Sequence, residues 1–174
     1  LLHAYARPQE EHSVAEIIQL EDQEAYVTCS VDVCPEFREY ERTSTAVVNA
    51  AVMPLVDAYL DNLENRLKTH GYDRQLYIMQ SNGGMMTASE IRNQPINIIE
   101  SGPAAGVVSS HAIGRVLGRK NLLSFDMGGT TAKAALIHEG RLEMSAEYEV
   151  GGNTHGAQRS EEHTSELQSR PNLV

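Results

Sequence analysis

From Val47 to Leu67 apolar residues recur at spacings of three and four: Val47, Val48, Ala51, Val52, Leu55, Val56, Tyr59, Leu60, Leu63 and Leu67. That period places them along one stripe of an α-helix, and it predicts a long helix capped by Thr43, Ser44 or Thr45 and stopped at Gly71. Pro54 lies inside the run. It removes one backbone donor and predicts a kink, or a boundary between two helical pieces.

The flanking segments are shorter. Ser13 followed three residues later by Glu16 reads as a capping box opening a helix over residues 13–23. Ala25–Ser30 is rich in β-favouring residues and reads as a strand, as do Gln75–Gln80 and Ile96–Ile99. Ser81-Asn82-Gly83-Gly84 is a turn, and Thr87 with Glu90 opens a brief helix. Pro103 and its small neighbours start a helix over Ser101–Leu117, which Gly118 ends. Asn121–Phe125, a glycine turn over Asp126–Thr131 and Ala132–His138 make a hairpin, and Glu139-Gly140 turns into a third strand over Arg141–Val150. Helices feeding short strands, then a glycine-turned meander, predict an α/β or α+β domain with a mixed sheet.

Composition sets the class of partner. The chain has 174 residues, 41% hydrophobic and 22% charged, as in a soluble globular protein. Its 24 acidic against 14 basic side chains give a net charge of −10, and no Lys/Arg cluster is present, so nucleic acid is not an expected partner. The longest apolar stretch, Ala46–Val56, is broken by Asn49 and Pro54 and is far shorter than the roughly 20 residues that span a bilayer, so no membrane partner is expected. The start, Leu1-Leu2-His3-Ala4-Tyr5, lacks an initiator Met and the order of a signal peptide, and reads as an internal fragment. Cys29 and Cys34 have no companion pair and read as reduced structural thiols of a cytoplasmic protein. The histidines are scattered without metal spacing and read as structural or exposed. Residues 159–174 turn polar, resemble the translation of a common sequencing adapter, and are set aside as a non-native or disordered tail.

Three glycine-rich segments carry the chemistry. In Asp126-x-Gly128-Gly129-Thr130-Thr131 the adjacent glycines let backbone N–H groups approach an anion and the threonines add hydroxyl donors; an ordinary hairpin explains the same glycines. Asp126, at a strand end, is placed to hold a hydrated Mg²⁺ or orient a water. Ser101-Gly102-Pro103-Ala104-Ala105-Gly106 offers free N–H groups and the positive end of a helix dipole, although tight helix packing explains the small residues equally well. Ser81-Asn82-Gly83-Gly84 could line a cleft, but a plain turn is the simpler reading. Lys133 could reach a phosphate or pair with a carboxylate.

Taken in order, Phe37–Thr45, Met79–Gly84, Ser101–Val107 and Phe125–Thr131 resemble the hydantoinase A/oxoprolinase family, over about residues 10–158. The resemblance implies an actin/Hsp70/sugar-kinase-like, ribonuclease H-like ATPase fold. Residues 1–119 would end the first lobe, with a crossing helix, and residues 120–158 would begin the second with its phosphate hairpin. It implies ATP and Mg²⁺ as cofactors, with Asp126 as the catalytic and metal-organising residue. Gly128, Gly129, Thr130 and Thr131 would hold phosphate, with Ser101, Gly102, Gly106, Asn82 and Gly83 nearby. The implied reaction is ATP-dependent opening of a cyclic amide after phosphorylation of its oxygen, with a B-type subunit or fused domain as partner. A ketone carboxylase subunit and a non-catalytic ATP-binding scaffold of the same fold are the alternatives. Many relatives have Thr-Asp where Ala132-Lys133 stands, and the Thr-Thr-Ala-Lys form resembles the hydantoinase-type branch. The family's first phosphate hairpin would precede Leu1 and a later nucleotide segment would follow Gln158. The isolated polypeptide is therefore expected to bind nucleotide weakly and not to turn over.

Overall fold

The computed structural model describes residues 1–128, 132–142, 144–150 and 153–160, the last two stretches as backbone. Its organising element is the long helix α3 (Glu39–Thr69), preceded by α1 (Pro8–Glu21) and the single turn α2 (Ser30–Val33). Glu39 and Glu41 in the first turn of α3, and Arg66 and Lys68 in the last, match the helix dipole. The helix starts ahead of Thr43–Thr45. The Thr45 hydroxyl donates back to the Glu41 carbonyl at 2.7 Å inside the helix, so it does not serve as the cap. Pro54 neither breaks nor divides α3: the residue is exposed, while Asn49, Met53 and Leu60 on either side are buried.

α1 begins at Pro8, five residues before the expected Ser13 cap. Proline at the first helical position and Glu10 and Glu11 in the first turn supply the start, leaving Ser13 and Glu16 inside the helix. The strand expected over Ala25–Ser30 is absent. These residues run to α2 without a ladder partner because their side chains are tied to helices: the Thr28 hydroxyl accepts from Asn49 Nδ2 at 3.0 Å, and Ser30 Oγ donates to Glu11 at 2.7 Å. Ile96–Ile99 is likewise not a strand. Pro95–Ile98 forms a 3₁₀ turn, whose Ile96 N–H donates to Asn49 Oδ1 at 3.0 Å and whose Pro95 and Ile96 are buried.

The short strands β1 (Tyr77–Met79) and β2 (Met85–Thr87) pair antiparallel, with Ile78 opposite Met86. Next comes α4 (Ala88–Asn93), opened by the expected capping box. Thr87 Oγ1 accepts from the Glu90 N–H at 3.3 Å, and the Glu90 carboxylate accepts from the Thr87 N–H at 2.9 Å. Leu60, Ala88 and Ile91 form a core cluster that joins α3 to α4, and Val33, Cys34 and Ile96 form another.

α5 (Ser101–Val116) covers an antiparallel sheet of β3 (Leu122–Met127), β4 (Ala132–His138) and β5 (Arg141–Leu142). Val107, Ala135 and Ile137 are the core of that layer. Gly114 is buried in the seam: a Cβ there would lie 2.3 Å from Leu122 Cδ1 and 3.1 Å from the Arg119 carbonyl oxygen, so a larger residue would require the Leu122 side chain to move. The third strand expected over Arg141–Val150 is divided. Only Arg141–Leu142 pairs with β4, and β6 (Met144–Val150) pairs instead with β7 (Asn153–Ser160). β7 includes the first two residues of the segment set aside as a tail, and residues 161–174 lie outside the described residues. Among the described residues every strand pairing is antiparallel, so the expected mixed sheet is not seen: β2 and β3, the strands flanking α5, belong to separate sheets and make no parallel crossover pair. Also among the described residues, no helix is long and apolar enough to cross a membrane.

Candidate functional site

Three of the glycine-rich segments meet around the N-terminus of α5. Glu100, directly before the helix, takes a left-handed conformation with φ 62°, uncommon for a residue with a Cβ. Its carboxylate meets Lys133 Nζ on β4 at 2.7 Å. Lys133 is the cross-strand neighbour of Asp126. A small cleft is lined by Pro103 and Val107 from α5, Ser124 and Asp126 from β3, and Lys133, Ala134 and Ala135 from β4. Asp126 is thus at the sheet edge facing the start of α5, with its side chain exposed.

The strand alternation explains that placement. Leu122 and Ser124 are half-buried toward α5, where Ser124 Oγ accepts from Ser110 Oγ at 3.1 Å, and Leu123, Phe125 and Met127 are exposed. Asp126 continues the α5-facing series. It belongs to β3 and not to the turn that the glycine pattern implied.

The Ser81–Gly84 turn reaches the same region from the other side. Ser81 is buried; its N–H donates to the Asn97 carbonyl at 2.7 Å, and its hydroxyl donates to the Asn97 and Ile99 carbonyls just ahead of α5. Asn82 Oδ1 accepts from the Gly84 N–H at 2.7 Å, so this side chain shapes the turn. Gly83 has φ 81° and packs on α5, where a Cβ would lie 2.9 Å from Val108 Cγ2.

Ser101 and Gly102 stand in the first turn of α5, where backbone N–H groups have no intrahelical acceptor. A Cβ at Gly102 or Gly106 would meet nothing within 4 Å, so these glycines leave an open face. The arrangement presents N–H groups and the positive helix end beside a carboxylate and a cation, which suits an anionic oxygen cluster with a hard metal ion. Gly128 is exposed at the exit of β3. Gly129, Thr130 and Thr131 lie outside the described residues. The Glu100–Lys133 pair escaped the sequence reading, which left Lys133 open between a phosphate and a carboxylate.

Two further polar groups brace the scaffold. Arg42 is buried; its guanidinium donates to Ser30 Oγ at 3.1 Å and the Glu36 carbonyl at 2.6 Å, and pairs with Glu39. Burial pushes the Glu11 carboxyl up, but bonds from the α-ammonium, Ser30 Oγ and the Val31 N–H outweigh it and hold Glu11 below its ordinary value.

Mixed helix and sheet, with a helix start set against a strand-end carboxylate, is the class of fold that the described residues define. Within that class, residues 42–164 match the hydantoinase/oxoprolinase family, and the chain belongs to it. It is 42% identical over 154 residues to an uncharacterized protein of Methanocaldococcus jannaschii, covering 88% of this chain and 23% of that protein. It is 30% identical to the caprolactamase subunit alpha of Pseudomonas jessenii, over 79% of this chain and 20% of the relative. The solved nucleotide-free acetone carboxylase superposes with a TM-score of 0.79 at 28% identity, over 93% of this chain and 23% of that one. The chain therefore spans about a fifth to a quarter of the length of the relatives it matches.

Proposed function

We propose that the longer protein to which these residues correspond is an ATP-dependent cyclic-amide hydrolase of the hydantoinase/5-oxoprolinase type. The observation that carries the reading is the meeting of the α5 N-terminus with Asp126 and Lys133. In this reading residues 1–119 end one actin-like ATPase lobe and residues 120–158 begin the other. Family membership supports an ATP-coupled enzyme, and the name of the caprolactamase relative supports a cyclic amide as substrate.

ATP, when bound with Mg²⁺, supplies the phosphoryl group that turns an amide oxygen into part of a leaving group. The residues of this chain position and neutralise. Asp126 would hold the metal or its waters through its exposed carboxylate, the oxygen donor Mg²⁺ requires. The first-turn N–H groups at Ser101 and Gly102 stabilise negative oxygens, a contribution that grows where water is excluded. Gly128, Gly129, Thr130 and Thr131 would hold phosphate, as the family resemblance implies. Gly106 keeps the helix face open, and Asn82 and Gly83 shape the turn that packs on α5 at Val108. Glu100 holds Lys133 at the edge of the cleft.

The acetone carboxylase likeness favours a second reading, in which ATP activates a ketone and bicarbonate. The test is coupled ATP hydrolysis by the longer protein with its B-type partner. Stimulation by a hydantoin, 5-oxoproline or a lactam supports the first reading, and stimulation only by ketone plus bicarbonate supports the second. Asp126→Ala is expected to abolish coupled turnover while circular dichroism shows the fold intact, because the side chain is exposed. Near-normal coupled activity in that variant rejects the role given to Asp126.

A further inference from the structure

His12, from one part of the sequence, comes together with Cys29 and Asp32, near neighbours in another. His12 lies on α1, Cys29 precedes α2 and Asp32 lies within it. One donor atom from each falls within 4.8 Å of the others, and His12 Nε2 is 2.9 Å from Asp32 Oδ1. Cys29 and Asp32 are neighbours along the chain, and the packing of α1 on α2 brings His12 to them.

We propose that these three residues bind a single borderline-soft divalent cation of the zinc class, at a site distinct from Asp126. The donor set carries the choice of ion. A sulfur, an imidazole nitrogen and a carboxylate oxygen suit Zn²⁺ or Co²⁺, whereas Mg²⁺ and Ca²⁺ demand oxygen ligands. Tetrahedral zinc with bonds of roughly 2.0–2.3 Å sets donors about 3.5 Å apart, so the present group, spread over up to 4.8 Å, has to draw together on binding.

The site is preorganised by its neighbours. Glu11, adjacent to His12, accepts from Ser30 Oγ at 2.7 Å and from the Val31 N–H at 3.2 Å, and Ser30 and Val31 lie between Cys29 and Asp32. That buried contact fixes α1 against α2 independently of any ion. The three residues open onto a cleft that Glu16, one helical turn beyond His12, also lines, leaving a fourth position for Glu16 or water. On loading, the Cys29 thiol proton leaves to solvent and the imidazole proton resides on Nδ1, so Nε2 presents its lone pair. The contact between His12 and Asp32 is then replaced by two bonds to the ion.

The experiment is Co²⁺ titration of the metal-stripped longer protein. A thiolate-to-cobalt absorption band that saturates at one equivalent, is displaced by Zn²⁺ and not by Mg²⁺, and disappears in Cys29→Ser is the expected result. His12→Ala should weaken binding, and Cys34→Ser should leave the band unchanged. In the unsubstituted protein, Zn²⁺ should slow alkylation of Cys29 as read by mass spectrometry, a measurement independent of whether the variants fold. A band that persists in Cys29→Ser, no band at all, or equal Cys29 alkylation with and without Zn²⁺ overturns the proposal.

Discussion

Asn49 is fully buried in α3 yet keeps both ends of its amide occupied. Nδ2 donates to Thr28 Oγ1 at 3.0 Å and to the Asn93 carbonyl at 2.9 Å, and Oδ1 accepts from the Ile96 N–H at 3.0 Å. One side chain thus fastens the segment before α2, the end of α4 and the 3₁₀ turn to the long helix. Asn49→Ala leaves the buried Ile96 N–H without its acceptor and opens a void, and should cost about 2–4 kcal/mol in chemical denaturation. Gly83 is constrained by backbone and by space. Gly83→Ala is expected to cost about 1–3 kcal/mol, because the left-handed φ and the approach to Val108 both resist a Cβ. Val108→Ala in the same chain should restore the steric part and leave the conformational part.

Between elements, α4 is clamped to α3 by Arg92. Its guanidinium reaches Asp57, Asp61 at 2.8 Å and Glu64 at 3.0 Å, carboxylates spaced four and three residues apart on one face of α3. The Asp57 carboxyl is held below its ordinary value, first by the bond from Arg92 and then by the Tyr26 hydroxyl, which donates at 2.9 Å. Because the folded value lies below the unfolded one, the stabilisation is full above the ordinary carboxylate value and is lost as pH falls through the depressed one. Thermal unfolding should therefore shift down on acidification below about pH 4, and the shift should be smaller in Asp57→Asn. Equal acid sensitivity in both proteins would rule out this linkage. The same scale shows why some elements were legible and others were not. Thr87 and Glu90 cap α4 as their spacing foretold, since both partners are local. Ala25–Ser30 and Ile96–Ile99 have β-favouring composition but no strand to pair with, and Asn49, Thr28 and Glu11 draw their polar groups elsewhere.

At the scale of the whole molecule, the sheet of β3, β4 and β5 is covered by α5 on one side and, among the described residues, by no other element on the second. Leu123, Phe125, Met127 and Leu136 are exposed on the other face, opposite α5. A 174-residue polypeptide with such a face is expected to bind a hydrophobic dye and to self-associate in sedimentation. Leu123→Ser with Phe125→Ser should reduce both. Unchanged dye binding and sedimentation would place the sticky surface elsewhere.

The candidate site was legible in parts. Asp126 and the Ser101–Gly106 helix start were recognisable because glycine turns and helix termini are written in a few adjacent residues. The sequence by itself determined the long helix, its capping-box neighbour, the hairpin after α5 and the family, all of which rest on local periodicity or short motifs. The tertiary structure alone decided that Glu100 pairs with Lys133, that Asn49 binds three segments and that His12 meets Cys29 and Asp32. These contacts join residues from separate elements, and their energies depend on a geometry that exists only after the helices and strands have packed.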